Sequence, residues 1–560
     1  MQLGERKLTG GAAIVEAARA NGMTTLFGVP GVQTYPLFDA LHGTNVELIV
    51  PRHEQAAAYM AMGYAKSTGR TGVFTVVPGP GVLNAAAALC TAMGNCAPVV
   101  CLTGQVPTSF LGRRRGHLHE LADQLGTLRT LIKDAWRIDS AGDASRLVNR
   151  AFRDAAGGRP GPIAVEMCWD TMAAQSEAVI APAEGPQPEP TVDAQAIDAA
   201  VRLLAAAKKP MIMCGAGAQH AASEVELLAE TLQAPVTAFR SGRGIVPEDH
   251  ALGVASVAAR ELWDDVDVLV GVGSRLEMPY MRWGDSMRYE RKPSAGPKLI
   301  RVDIDPAEMQ RLEPDVAIVA DSATACRLLA ERLRTRVAPS RSRVAEIAAA
   351  KRTADAAIDS IQPQAAFLRA IRTVLPRDGI LVPELSQVGF ATYTGAFPVL
   401  APRTYISEGF QGTLGFGFPT ALGAKVGNRG KPVVSVTGDG GFMFGVQELA
   451  TAAQHGIALV TIVFNNHSFA NVLRDQQTHF AGRTIGSHLH NPDFVRLAES
   501  FGVAARRVKQ PHELEAALEA ELAADRPALI EVELAPGIEQ SAWPLIHMRK
   551  RPSEIVGSSQ

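Results

Sequence analysis

The chain reads as an α/β protein built from three doubly wound parallel-sheet domains, and three observations predict this. First, its 560 residues divide into several compact units at roughly 100–200 residues each. Second, β-branched runs ending in Gly or a polar turn alternate with Ala-rich amphipathic segments, the pattern of parallel sheets covered by helices. Third, that pattern is broken twice, by APAEGPQPEPTVD at 181–193 and by an Arg-rich, strand-free segment near 334–354. The breaks predict domains at 1–180, 190–335 and 355–540, followed by a tail at 541–560.

In the first third, VELIV (46–50) is a strand that precedes a helix from about Glu54. GVFTVV (72–77) is a strand ending in a Pro/Gly loop, and PVVCLTG (98–104) is the next. The middle third supplies PMIMCGAG (210–217), DVLVGVG (267–273) and KLIRVDID (298–305). The last third supplies GILVPE (379–384), KPVVSVTGDGG (431–441), IALVTIVFNN (457–466) and PALIEVEL (527–534). Ligands of open parallel sheets sit beyond the carboxyl ends of the strands, so the residues just after these runs are the functional candidates.

Composition narrows the function. With 47 % hydrophobic, 20 % charged and 6 % aromatic residues, the chain is an ordinary globular one. A formal charge of -2 offers no field for a polyanion, so nucleic acid is not expected as a partner and a small-molecule substrate is. The six cysteines form no CxxC pair and read as free thiols. The N-terminus lacks an apolar targeting core, and no uncharged run of about 18 apolar residues occurs. A cytoplasmic enzyme with no membrane contact is expected.

The densest chemistry lies in the last third. A strand runs into Gly438-Asp439-Gly440-Gly441, and a helix is predicted at about 445–455, with Val446, Leu449 and Ala453 on one face and Gly456 as its stop. The next strand ends in Asn465-Asn466. If the two strands are neighbours in a right-handed βαβ unit, Asp439 and Asn466 emerge side by side. A carboxylate and an amide oxygen suit Mg²⁺, and the small residues beside Asp439 let backbone N–H groups approach a diphosphate. In the first third, Glu54 opens a helix; by itself an acidic residue there is an ordinary partner of the helix dipole.

GDGG at 438–441 followed by NN at 465–466 resembles the thiamine diphosphate signature, and nearly the whole chain resembles the acetolactate synthase, pyruvate oxidase and benzaldehyde lyase group. The resemblance implies thiamine diphosphate and Mg²⁺ as cofactors, with Asp439, Asn466 and the Ser468 carbonyl as metal ligands. GFQGTLGFGFPTALGAK (409–425) is similar to the family's loop under the cofactor. There Leu414 would wedge the two rings apart and the Gly412 carbonyl would accept from the 4'-amino group. Ser386 and Gln387 fall where relatives contact the diphosphate. RHE at 52–54 and PGPGVLN at 78–84, with Pro78, Gly79 and Asn84, resemble the pyrimidine-binding half. Glu54 would then hold the proton at pyrimidine N1' that makes the 4'-nitrogen a base for thiazolium C2. Because the two halves come from different subunits in the family, a homodimer or homotetramer with active sites at the dimer interface is implied.

The substrate side is less explicit. Gln33, in FGVPGVQTYP, falls where relatives face the reacting carbon, and some relatives have a histidine near that position. Within RGHLHELADQLGTLRTLIK (115–133), His119 stands where the synthases have Phe and is read as a proton relay or an interface histidine. Phe469, Asn471 and Val472 are expected to line the pocket. The central GAG (215–217) is a weak nucleotide signal, and GSRLEMP (273–279) departs from the flavin-binding pattern, so tightly bound FAD is not expected.

The function these features imply is decarboxylation of a 2-oxo acid with ligation to a carbonyl acceptor, acting on a 2-oxo acid or 2-hydroxy ketone. A benzaldehyde lyase-like C–C lyase and a 2-hydroxyacyl-CoA lyase or oxalyl-CoA decarboxylase-like enzyme are the alternatives within the family. A nucleotide-linked dehydrogenase or a non-catalytic nucleotide-binding protein is the alternative outside it.

Overall fold

The computed structural model describes residues 6–284, 296–335 and 341–556. Three parallel sheets, each flanked by helices, follow one another along the chain. The first has six strands in the spatial order Glu47–Ile49, Thr25–Gly28, Gly72–Val76, Val99–Gln105, Ile163–Cys168, Asp134–Ile138. Their interior strands are fully buried, as strands covered on both faces must be. A two-stranded antiparallel ribbon pairs Arg6–Thr9 with Gln175–Ala178.

The second sheet orders Gly253–Val254, Val236–Ala238, Pro210–Cys214, Val268–Val272, Lys298–Asp303 and Val316–Val319. Numbered along the chain this is 3-2-1-4-5-6, the order of dinucleotide-binding folds. The third orders Ile380–Pro383, Val433–Gly438, Val460–Asn465, Ala528–Glu533 and Ala504–Val508. Tyr405 bridges in parallel to Leu381 on its outer edge. With that bridge the third sheet reads 2-1-3-4-6-5, the same winding as the first.

The first and third units meet through two helices, Glu54–Thr68 and Gly417–Gly427. Glycine is required at this crossing. A Cβ on Gly63 would stand 1.9 Å from the Thr420 carbonyl oxygen, and one on Gly423 would stand 1.9 Å from that of Met60. The close approach places the ends of the first and third sheets within one continuous hydrophobic core, which contains Phe27, Tyr59, Phe416, Phe442 and Val463.

One expectation changes, and one strand-free segment is shown to carry a helix. The single helix expected at 445–455 is a short 3-10 turn, Val446–Glu448, running into the short helix Leu449–Gln454, and a separate short helix, Asp439–Phe442, precedes it across Gly445. The Arg-rich segment near 334–354, part of which (336–340) lies outside the described residues, contains the start of the helix Val344–Ile358.

Candidate active site

The strands Val433–Gly438 and Val460–Asn465 are parallel neighbours with Gly438 opposite Phe464, so their next residues, Asp439 and Asn466, leave the sheet at adjacent points. Both are buried. Asp439 Oδ1 accepts from the Gly440 amide at 2.9 Å and Oδ2 accepts from Asn491 Nδ2 at 2.6 Å. Asn491 also donates to Asn465 Oδ1 at 2.9 Å, tying the two strand ends together. The Asn466 amide nitrogen donates to Glu539, while its Oδ1 accepts from the Ser468 amide and hydroxyl at 3.0 and 2.9 Å. The Phe469 ring lies over Gly440, where a Cβ would meet it at 2.5 Å.

The electrostatics of this pocket fit a cation. Burial pushes the Asp439 carboxyl up, with hydrogen bonds from Asn491 and Gly440 opposing it. Burial likewise pushes Glu539 up to about 7; the Asn466 bond works against this and the charge on Asp439 adds to it. Among the described residues neither carboxylate has an ion pair to Lys, Arg or His. Two carboxylates, an amide oxygen and nearby carbonyls are the donor set of a hard divalent ion.

Gln387 and Ser386 close the same end of the sheet. Ser386 caps the short helix Gln387–Ala391, its hydroxyl accepting from Gly389 at 3.0 Å, and its Cβ is the neighbour a Cβ on Gly438 would meet at 3.1 Å. The Gln387 side-chain oxygen is buried without a partner among the described residues, as expected of a group that waits for a ligand. The loop that carries Gly412 and Leu414 is held by Glu384, whose carboxylate accepts from the amides of Leu385, Gly415 and Gly417 at 3.3, 3.2 and 2.5 Å. Gly412 has a φ of +63°, and Leu414 is half-buried rather than a core leucine.

In the first unit, Glu54 opens its helix and accepts from Asn84 Nδ2 at 2.9 Å. Asn84 and its neighbour Leu83 are exposed, so this half-site lies on the open surface of the protomer. Pro78 and Gly79 are buried behind it. Gly79 has a φ of +62°, and its amide donates to Gln124 Oε1 at 3.0 Å; Gln124 in turn donates to Glu166 at 2.9 Å. The His119 carbonyl packs against Gly79, where a Cβ would meet it at 2.5 Å.

Gln33 departs from the expectation of direct substrate contact. It is fully buried; Nε2 donates to the Leu118 carbonyl at 3.1 Å, and Oε1 lies 2.9 Å from His119 Nδ1. Asn471, expected at the pocket, accepts from Trp543 Nε1 at 2.6 Å, and Val472 is 49 % exposed. Sequence reasoning missed Asn491, Glu539 and Glu384. Asn491 and Glu539 lie far along the chain from the residues they serve, and only the position of Glu384 at a strand end could have drawn attention to it.

A cavity of about 650 Å³ lies beyond the carboxyl ends of the central unit's strands, lined by Gly215, Gly217, Ser274 and Asp303 and, from the first unit, by Lys66, Asn95 and Arg159. Burial pushes Asp303 up to about 6.

Three family models match in succession. They are the thiamine pyrophosphate enzyme N-terminal TPP binding domain at residues 8–127, its central domain at 197–329 and its C-terminal TPP binding domain at 386–532. Fold and site thus define a thiamine diphosphate-dependent enzyme. The chain belongs to the thiamine pyrophosphate enzyme family and is acetolactate synthase-like. It is 32 % identical to a probable acetolactate synthase large subunit of Methanocaldococcus jannaschii, over 98 % of this chain and 95 % of that one. It is 33 % identical to the probable 2-ketoarginine decarboxylase AruI of Pseudomonas aeruginosa, over 94 % of each. With acetolactate synthase isozyme 3 large subunit of Escherichia coli it shares 31 % identity, over 91 % and 92 %.

Proposed function

We propose that the enzyme decarboxylates a 2-oxo acid and ligates the remaining fragment to a carbonyl acceptor, using thiamine diphosphate held through Mg²⁺. The observation that supports this most is the buried pocket in which Asp439, Asn466 and Glu539 come together with no ion pair to Lys, Arg or His among the described residues. In this reading Asp439, Asn466 and the Ser468 carbonyl hold the metal. Ser386, Gln387 and the backbone at Gly438, Gly440 and Gly441 take the diphosphate. Gly412 and Leu414 hold the pyrimidine and the bend between the rings, with Phe469 beside them. Bound there, the cofactor would supply a thiazolium ring as the sink for the electron pair that departing CO₂ leaves behind. Glu54 keeps a proton at pyrimidine N1', its carboxylate oriented by Asn84, with Pro78 and Gly79 shaping the wall behind.

His119 faces the substrate in this reading. The half-exposed Glu54, the exposed Leu83 beside Asn84, and exposed Met443 and Phe444 after the GDGG segment support a second copy as the cover of each half-site. Sedimentation equilibrium should then give a dimer or tetramer, and a monomer would remove that part of the reading. No helix among the described residues is long and apolar enough to cross a membrane. The central cavity is read as a site for a nucleotide-bearing ligand other than tightly held flavin; stoichiometric flavin absorbance in the purified protein would contradict this.

The decisive experiment supplies thiamine diphosphate, Mg²⁺, a 2-oxo acid and an aldehyde or 2-oxo acid acceptor, with products separated by chiral chromatography. A 2-hydroxy ketone or acetohydroxy acid is expected. Free aldehyde as the only product would make the enzyme a simple decarboxylase, and turnover confined to acyl-CoA substrates would assign it to the CoA-dependent alternatives.

A further inference from the structure

Gln33 and His119 form a couple whose hydrogen-bond logic has one solution. The Leu118 carbonyl can only accept, so the Gln33 atom 3.1 Å from it is Nε2, the donor. That fixes Oε1 toward His119 Nδ1, at 2.9 Å. A carboxamide oxygen also only accepts, so Nδ1 carries the hydrogen. In the neutral ring Nε2 is then a lone pair, and among the described residues it has no hydrogen-bond partner.

Two further features show how the two partners are held in place. His119 has a φ of +67°, the left-handed region, which histidine enters more readily than most side chains. Gln33 is fully buried, and its backbone packs where a Cβ on Gly104 would meet the Gln33 carbonyl oxygen at 2.5 Å. A buried amide therefore holds a partly exposed histidine whose backbone leans on Gly79.

We infer that Gln33 is a positioning residue that holds His119 as the Nδ1–H tautomer, leaving Nε2 as the acceptor for a hydroxyl of the substrate. This rests on the reading of His119 as the substrate-facing residue. When the hydroxyl proton moves to the Nε2 lone pair, the O–H electron pair stays on oxygen and the ring becomes imidazolium. Nδ1–H persists in both states, so the bond to Gln33 survives the transfer and no rearrangement accompanies it. Delivery of the proton to an acceptor carbonyl oxygen is the same step reversed. A substrate bearing a hydroxyl beside the reacting carbon, or forming one, is the class this geometry serves.

The test is the solid-state ¹⁵N spectrum of histidine-labelled protein, with the His119 signals identified by their loss in His119→Ala. Wild type should show a protonated Nδ1 and an unprotonated Nε2 for this ring. Gln33→Met, of similar length and without an acceptor, should give mixed tautomers and lower kcat at least tenfold, with thiamine diphosphate affinity unchanged. Gln33→Glu, which keeps an acceptor toward Nδ1 but loses the donor to the Leu118 carbonyl, should keep the Nδ1–H signal. A wild-type ring protonated at Nε2 overturns the proposal, as does an unchanged spectrum or unchanged kcat in Gln33→Met. Should Gln33→Met fail to fold, the wild-type and Gln33→Glu spectra still decide it. Because the spectra need no substrate, they stand apart from the product analysis, which tests the reaction itself.

Discussion

Glu384 stands fully buried at the end of Ile380–Pro383, and its carboxylate gathers the Leu385 amide and two backbone amides, Gly415 and Gly417, where the loop leads into Gly417–Gly427. Its ordinary value is 4.5, and burial pushes it up to about 7 against those hydrogen bonds. Between these values the folded chain holds a proton that the unfolded chain has released, so stability falls as pH rises through that window. Glu384→Gln should therefore unfold with a flatter dependence on pH between about 5 and 7 than wild type, as read by thermal melts of the cofactor-free protein. A parallel pH slope in the variant would show that Glu384 does not titrate there. The same scale explains what was legible. Asp439 and Asn466 announce themselves because they follow β-branched runs within short, Gly-rich or Asn-rich signatures. Gln33 does not, because nothing local in FGVPGVQTYP reveals that its amide is spent on Leu118 and His119.

The strands that sequence shows most plainly are the buried interior ones, such as Val433–Gly438 and Val460–Asn465, whose β-branched runs are apolar on both faces. Edge strands hide. Asp134–Ile138 and Ala504–Val508 mix charged and apolar residues because one side of each meets solvent, which removes the apolar run that marks a strand. The helix crossing is also silent in sequence, since Gly63 and Gly423 are only two glycines among 51 until their partners are known. It yields a sharp prediction. Gly423→Ala forces a Cβ into backbone that cannot yield cheaply, costing about 1–3 kcal/mol. At about 2–4 °C per kcal/mol for a domain of this size, its melting temperature should drop measurably. Gly430→Ala, which meets nothing within 4 Å, is the control and should melt like wild type. Equal melting of the two variants would mean that the crossing is not close-packed.

At the scale of the whole molecule, a sheet of one winding is used at both ends of the chain, with a dinucleotide-type sheet between them. Three α/β units were legible from alternation alone, but strand order was not, because it depends on pairings between runs distant in sequence. In the proposed reading the two end units carry complementary halves of one chemistry: Glu54, bonded to Asn84, in the first, and Asp439 with Asn466, at neighbouring strand ends, in the third. The account's central claim is that both halves act on a single thiamine diphosphate. The most direct test is hydrogen–deuterium exchange at thiazolium C2 of bound cofactor, followed by NMR after acid quench, with cofactor affinity measured by calorimetry. Glu54→Gln should bind the cofactor with near wild-type affinity yet exchange about two or more orders of magnitude more slowly, the scale of a lost acid–base partner. Asp439→Ala should fail to bind it at all in the presence of Mg²⁺. Exchange at the wild-type rate in Glu54→Gln, or undiminished affinity in Asp439→Ala, would contradict the claim that these residues form one site.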